Sequence, residues 1–218
     1  MSQSQRDRLR ITEIFYSLQG ESLSSGLPTV FVRLTGCPLR CSYCDTEYAF
    51  QGGEWFTLEE ILKKVSDFGA DYVCVTGGEP LAQKKSKELI RLLCDQDLNV
   101  SLETSGAISI ENIDPRVSVV MDLKTPGSGE MSKNLLSNIE LLTDRDQLKF
   151  VLCSREDYDW AKKVISEYDL TGRLEILFSV SFGQLSPQKL ADWILEDKLK
   201  VRFQMQLHKL LWDDEPGH

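Results

Sequence analysis

The sequence predicts an α/β fold, an incomplete TIM-like barrel of about six parallel strands with abbreviated helices. Three observations predict it. Short apolar, β-branched runs recur along the 218 residues and alternate with stretches of helical period. No repeat, low-complexity run or Pro/Gly/Ser-rich linker breaks the alternation, which suits one domain over residues 1–218. The least ordinary polar residues each follow a strand run directly, so the fold gathers them on one rim.

Strands are expected at Val30–Leu34, Tyr72–Thr76, Asn99–Leu102, Val117–Asp122, Leu148–Leu152, Leu174–Val180 and Val201–Met205. A further strand near Arg10–Tyr16 is placed to pair with the first. Thr57-Leu-Glu-Glu60 forms a capping box, and Leu58, Ile61, Leu62, Val65 and Phe68 follow on one helical face. Helices are also expected at Ser86–Cys94, Lys133–Leu142, Asp157–Tyr168 and Pro187–Glu196, the last with proline in its first turn. Ala107–Arg116 is too short and broken for a helix, so one crossover is abbreviated. Strands joined through helices imply parallel pairing and right-handed crossovers.

The chain is 41% hydrophobic and 27% charged, with 25 Lys and Arg against 34 Asp and Glu, a net charge of −9. Such a balance argues against a broad nucleic-acid surface, which needs a basic field. A small anionic substrate held by a few local cations stays compatible with it. No run reaches the roughly 18 apolar residues of a membrane helix. The polar start Ser2-Gln-Ser-Gln-Arg-Asp-Arg8 lacks the apolar core of a signal peptide. Six cysteines without a framework pattern fit a reducing compartment, so the cytoplasm is expected.

Chemistry concentrates in Cys37-Pro-Leu-Arg-Cys41-Ser-Tyr-Cys44, three cysteines within eight residues and no fourth nearby. A cubane iron–sulfur cluster normally takes four thiolates. Three on one loop leave one iron open to bind a reactant. A zinc site with a distant fourth ligand is the alternative, although structural zinc prefers two close ligand pairs. The other cysteines, Cys74, Cys94 and Cys153, stand alone in apolar stretches, and the histidines are His208 and His218. Thr76-Gly-Gly-Glu-Pro80, Glu103-Thr-Ser-Gly106 and Asp122-Leu-Lys124 end the next three strands.

Cys37, Cys41, Tyr43 and Cys44 match Cys-x3-Cys-x-aromatic-Cys, and Gly77-Gly78-Glu79-Pro80 follows on the expected strand. In both motifs the chain resembles the radical S-adenosylmethionine (SAM) enzymes. It is similar more narrowly to the 7-carboxy-7-deazaguanine synthases of queuosine and 7-deazapurine formation. That likeness rests on Tyr16-Ser-Leu-Gln-Gly-Glu21, Phe31-Val-Arg-Leu-Thr-Gly-Cys37, Cys44-Asp-Thr46, Asp122-Leu-Lys-Thr-Pro126 and Gln206-Leu-His-Lys209. Ser22 stands where the family commonly has Gly, and Tyr43 where many members have Trp.

The resemblance implies a [4Fe-4S] cluster on Cys37, Cys41 and Cys44, SAM on its open iron, and Mg2+. It implies conversion of the pterin 6-carboxy-5,6,7,8-tetrahydropterin to 7-carboxy-7-deazaguanine with release of ammonia, begun by hydrogen abstraction at C6. A one-electron reductant such as flavodoxin or ferredoxin would be needed, and a homodimer is the family's habit. The nearest competing reading is another small radical SAM enzyme, such as a glycyl-radical activase.

Individual roles follow from the same likeness. Tyr43, Thr76, Gly77, Gly78 and Glu79 fall on the cofactor side, with Glu79 either binding or bracing its loop. Lys149 and Lys124 are weaker candidates there, the alternative for either being an ordinary strand-end charge. Thr46 is implied as the Mg2+ ligand, with neighbouring Asp45 as the charged alternative. Arg33 suits the substrate carboxylate through a two-bond grip, unless it is spent on an acidic neighbour. Gln19, Glu21 and Glu103 suit the pterin N–H groups, and His208 a further substrate hydrogen bond.

Overall fold

The computed structural model describes residues 7–213 and Gly217, so most of the polar start and His218 lie outside the described residues. Nine strands form one sheet: β1 (Arg8–Leu18), β2 (Pro28–Leu34), β3 (Glu54–Thr57), β4 (Tyr72–Gly77), β5 (Asn99–Thr104), β6 (Ser118–Asp122), β7 (Gln147–Leu152), β8 (Glu175–Val180) and β9 (Arg202–Gln204). Their order is β3-β1-β2-β4-β5-β6-β7-β8-β9. From β2 to β9 every neighbouring pair is parallel, while β1 lies antiparallel between β2 and β3. The parallel set is thus seven strands, matching the seven runs expected from the sequence, in a barrel left open between β3 and β9.

The helices are α1 (Leu58–Asp67), α2 (Ser86–Cys94), α3 (Arg155–Glu167), α4 (Pro187–Glu196) and α5 (Leu207–Trp212). The capping box opens α1 as expected: the Thr57 hydroxyl accepts from Glu60 N–H, and Glu60 Oε2 accepts from Thr57 N–H at 2.7 Å. One strand lies outside the expectations and one expected helix needs correction. Strand β3 went unseen because its four residues run straight into that box. The helix expected at Lys133–Leu142 is instead two 3-10 turns, Met131–Lys133 and Leu136–Leu141. Its asparagines explain why. Buried Asn138 donates to the carbonyls of Gly106 and Ile108 and accepts from Ile110 N–H, and Asn134 exchanges two bonds with the Lys124 backbone. Side chains bound to distant backbone hold this segment as a strap. The β5–β6 connection is helix-free, as its broken sequence indicated.

Alternation along the strands gives the sheet two unlike faces. Val30, Val32 and Leu34 of β2, Val73 and Val75 of β4, and Leu148, Phe150 and Leu152 of β7 pack into the apolar core. Helices cover that face with Ile61 and Val65, Leu89 and Leu93, Tyr158 and Ile165, and Leu190. The intervening residues face the barrel interior and include a polar set, Arg33, Thr76, Glu103, Asp122 and Lys149, beside Phe31, Val120 and Val151. In register Arg33 neighbours Thr76 and Asp122 neighbours Lys149, so these groups form a charged layer across the barrel.

Candidate active site

The β1–β2 connection folds back into the open barrel and closes its lower end. Leu23 N–H donates to Gln147 Oε1 at 2.8 Å, and Ser22 exchanges two bonds with the Gln204 side chain, at 3.0 and 2.7 Å. Above this plug lies a cavity of about 710 Å³. It is lined by nearly every residue expected at the site: Gln19, Glu21, Arg33, Cys37, Cys41, Tyr43, Cys44, Thr46, Thr76, Gly77, Gly78, Glu103, Lys149 and His208. The strand-end rule explains the convergence, since β2, β4, β5 and β6 all point their C-terminal ends at it.

Glu79 alone among them does not line the cavity. It is fully buried, and its carboxylate accepts from Leu81 N–H, Thr104 Oγ1, Ser105 N–H and Ser105 Oγ. Those bonds brace the loop after β4 against the end of β5. The adjacent glycines serve close packing. A Cβ on Gly77 would strike the Leu34 carbonyl, and one on Gly78 would lie 2.7 Å from the Gly36 carbonyl carbon and 2.9 Å from Cys37 Cβ. The Gly78 and Glu79 N–H groups use this proximity to donate to Leu34 and Gly36.

Cys37, Cys41 and Cys44 are unpaired and half-buried on one wall of the cavity. Burial pushes all three thiols up, Cys41 to about 11, and nearby Lys124 opposes the shift. Among the described residues no three His, Cys, Asp or Glu side chains are grouped to hold a single metal ion. Three thiolates for separate corners of a cubane need no such convergence, so the donor set fits a cluster with an open iron. Of the remaining cysteines, Cys94 is buried against the apolar core, Cys74 is buried with its thiol against Ser101 and Glu103, and Cys153 is half-buried with its thiol against Asp157 and Ser181.

The charged layer is paired internally. Arg33 Nε donates to Glu13 Oε1 at 2.6 Å, so the residue expected to grip the substrate already has an acidic neighbour on β1. Its pKa is raised: burial works downward and is outweighed by Tyr48, Glu13 and Glu103. Glu103 accepts from Thr76 Oγ1 at 2.9 Å and from Gln19 Nε2 at 3.3 Å. Lys124 pairs with Asp122 Oδ2 at 2.9 Å, and Lys149 with Glu21 Oε2 at 2.7 Å. In both carboxylates the other oxygen, Asp122 Oδ1 and Glu21 Oε1, is buried with no hydrogen-bond partner, as is the Tyr43 hydroxyl. Unmet polar atoms beside a cavity mark where a polar ligand completes the bonding.

The C-terminal segment forms another wall. Leu207 N–H donates to Gly20 O, and the His208 ring packs so tightly on Gly20 that any side chain there would collide with it. Gln206 and Lys209 reach Asp45, which also accepts from the Thr46 hydroxyl at 2.8 Å. The Asp45 carboxyl sits down at about 2, because Lys209, Thr46 and Gln206 outweigh its burial.

A family model described as the Radical SAM superfamily matches residues 31–122, the stretch from β2 through β6. The chain is 46% identical over 210 residues to 7-carboxy-7-deazaguanine synthase of Chlorobaculum tepidum, covering 95% of this chain and 96% of that one. The protein of the same name from Methanospirillum hungatei is 42% identical over 210 residues, covering 95% and 87%. The chain belongs to the 7-carboxy-7-deazaguanine synthase family of radical SAM enzymes. QueE from Escherichia coli shares its fold, with a TM-score of 0.76 at 22% identity over 95% of this chain and 99% of that one. Streptococcus suis SuiB shares it more loosely, at 0.56 and 12% over 78% and 47%. Membership implies a [4Fe-4S] cluster and SAM, for which the three-cysteine wall and adjoining cavity have the required donors.

Several lining residues were not singled out from sequence. Phe15 and Phe31 stack at 4.9 Å beside Arg33, and Tyr48 donates to Glu13 at 2.8 Å. They lie on β1, β2 and the turn after Thr46, and only the alternation of β2 signals Phe31 as inward. Ser181 and Phe182 follow β8 immediately, where the strand-end rule would have found them.

Proposed function

We propose that this chain, acting as one radical SAM domain, converts 6-carboxy-5,6,7,8-tetrahydropterin to 7-carboxy-7-deazaguanine with release of ammonia. One observation carries the reading: the three-cysteine wall and the charged layer around Arg33, Glu103 and Glu21 line a single cavity. Cluster and SAM, when bound, supply the carbon-centred radical that takes hydrogen from C6 of the substrate. The remaining work falls to the chain. Arg33, oriented by Glu13, holds the substrate carboxylate, and Glu103 and Glu21 accept from the amino and ring N–H groups. Gln19 and Thr76 fix Glu103, and His208 with the C-terminal segment shields the cavity from water.

Thr46 is the proposed Mg2+ contact. Mg2+ keeps few protein ligands and draws the rest from water and substrate oxygens, so a lone hydroxyl near a bound carboxylate suffices. Asp45 beside it fixes the hydroxyl. Among the described residues no helix is long and apolar enough to cross a membrane.

The test is anaerobic reconstitution followed by reduction and addition of SAM, Mg2+ and the carboxytetrahydropterin, with products read by mass spectrometry. 7-Carboxy-7-deazaguanine is expected, and Cys41→Ala should abolish it together with bound iron. SAM cleavage to 5′-deoxyadenosine without that product would reject the substrate and keep the radical chemistry.

A further inference from the structure

We propose that Lys149 is a positioning residue for Glu21. It takes up Oε2 and so presents Oε1 as a single acceptor for one N–H of the substrate. This rests on the pterin reading above, and it moves Lys149 from the cofactor side, where the family resemblance put it, to the substrate side.

The geometry is specific. Lys149 lies in the middle of β7, inside the barrel and buried, while Glu21 arrives from the plugging loop, 128 residues away in sequence. Their contact at 2.7 Å is not incidental to that loop's placement. Gln147, two residues before Lys149 on the same face of β7, holds Leu23 N–H at 2.8 Å, and Gln204 holds both backbone groups of Ser22. The loop backbone is therefore fixed after Glu21 at Ser22 and Leu23 and before it at Gly20, whose carbonyl accepts from Leu207 N–H, so the orientation of the carboxylate itself is left to Lys149. Lys149 carries its charge firmly: Glu21, Asp122 and Glu103 raise its pKa against the effect of burial.

A carboxylate recognising an amino-pyrimidinone edge ordinarily accepts two parallel N–H bonds, one per oxygen. Here one oxygen is committed to the lysine. The other is buried at the cavity wall without a partner, a state that costs free energy until a donor arrives. Glu21 therefore selects a ligand bearing one N–H at that point. Glu103, whose two oxygens already accept from Gln19 and Thr76, meets the neighbouring donors with its remaining lone pairs. Without Lys149 the Glu21 carboxylate is unbalanced and free to rotate, and it loses that register.

The test measures binding to the reconstituted holoenzyme. 6-Carboxypterin, an intrinsically fluorescent analogue, probes the substrate side, and S-adenosylhomocysteine, followed by calorimetry, probes the cofactor side. For Lys149→Met the dissociation constant of 6-carboxypterin should rise about tenfold or more, while that of S-adenosylhomocysteine and the iron content stay at wild-type values. Glu21→Gln with Lys149→Met should bind 6-carboxypterin no worse than Glu21→Gln alone, because the lysine then has no carboxylate to position. This cycle separates positioning from a general folding defect, which would weaken the double variant further. An unchanged 6-carboxypterin constant in Lys149→Met overturns the inference, as does an equal or larger loss of S-adenosylhomocysteine. Failure of wild type to bind 6-carboxypterin at all would overturn the pterin reading and the inference with it.

Discussion

Ser42, between Cys41 and Cys44, is bonded twice to the turn after β6: its hydroxyl donates to Gly127 O at 2.8 Å and its N–H to Ser128 O at 3.0 Å. Arg40 N–H adds a third bond, to Glu130 Oε1 at 2.7 Å. That turn is anchored from below by Asp157, a buried carboxylate in the first turn of α3 that accepts from Gly127 N–H and Cys153 N–H. A chain of hydrogen bonds thus runs from α3 to the cysteine loop. It gives the loop a fixed place against the cavity even though three of its residues are half-exposed thiols.

Gly127→Ala tests that chain. A Cβ there would lie 2.5 Å from Asp157 Oδ2 and 2.9 Å from Cys153 Cβ, so the turn has to lift off α3. The expected cost is about 1–3 kcal/mol, the usual range for forcing an extra methyl into a packed site. A lower melting temperature and less iron retained per chain after reconstitution should appear together. Normal iron in a destabilised protein would show that the turn does not hold the loop.

Gly78→Ala should be harsher for the cluster than for the fold. The atoms it would meet are the Gly36 carbonyl and Cys37 Cβ, which belong to the start of the cysteine loop itself. Relief requires moving Cys37 away from the end of β4, and the Gly78 and Glu79 N–H bonds to Leu34 and Gly36 would be strained with it. Iron binding is expected to fall several-fold while far-UV circular dichroism stays native. Full iron content would mean that the loop has slack that this packing does not suggest.

Glu79→Gln separates bracing from cofactor binding. The carboxylate serves Leu81, Thr104 and Ser105 as an acceptor, and an amide would set one NH2 against those donors. The fold should lose about 1–3 kcal/mol, typical for an unmet buried donor. S-adenosylhomocysteine affinity of the folded protein should stay within a factor of about three of wild type, less than the roughly tenfold of one good polar contact. A selective loss of that affinity with unchanged stability would return Glu79 to the cofactor side.

The contrast between Glu79 and Lys149 shows what was legible in the sequence. Strand-and-helix alternation carried the fold class because each parallel strand is apolar where it meets a helix, and the motifs could be placed because strand ends share one rim. Partner choice was not legible. Nothing near Glu79 in the chain announces Thr104 and Ser105, and nothing near Lys149 announces Glu21. Both pairings are made by tertiary packing across sequence separations of 25 and 128 residues. The strap at Met131–Leu141 failed for the same reason: local helical spacing yielded to Asn134 and Asn138, whose partners lie on distant backbone.

Lys149 also sets a pH dependence whose sign can be worked out. Its pKa in the folded chain lies above the usual 10.5, since Glu21, Asp122 and Glu103 outweigh the burial that would lower it. A cation with a raised pKa contributes stability that is fully present below its unfolded value and is lost as pH climbs through the folded one. The gap in melting temperature between wild type and Lys149→Met should therefore be constant from about pH 7 to 10 and begin to close only above the unfolded value. Thermal melts at intervals across that range decide it. A gap closing already near pH 8 would mean that Lys149 titrates low, and that burial rather than its three carboxylate neighbours governs the charge beneath the site.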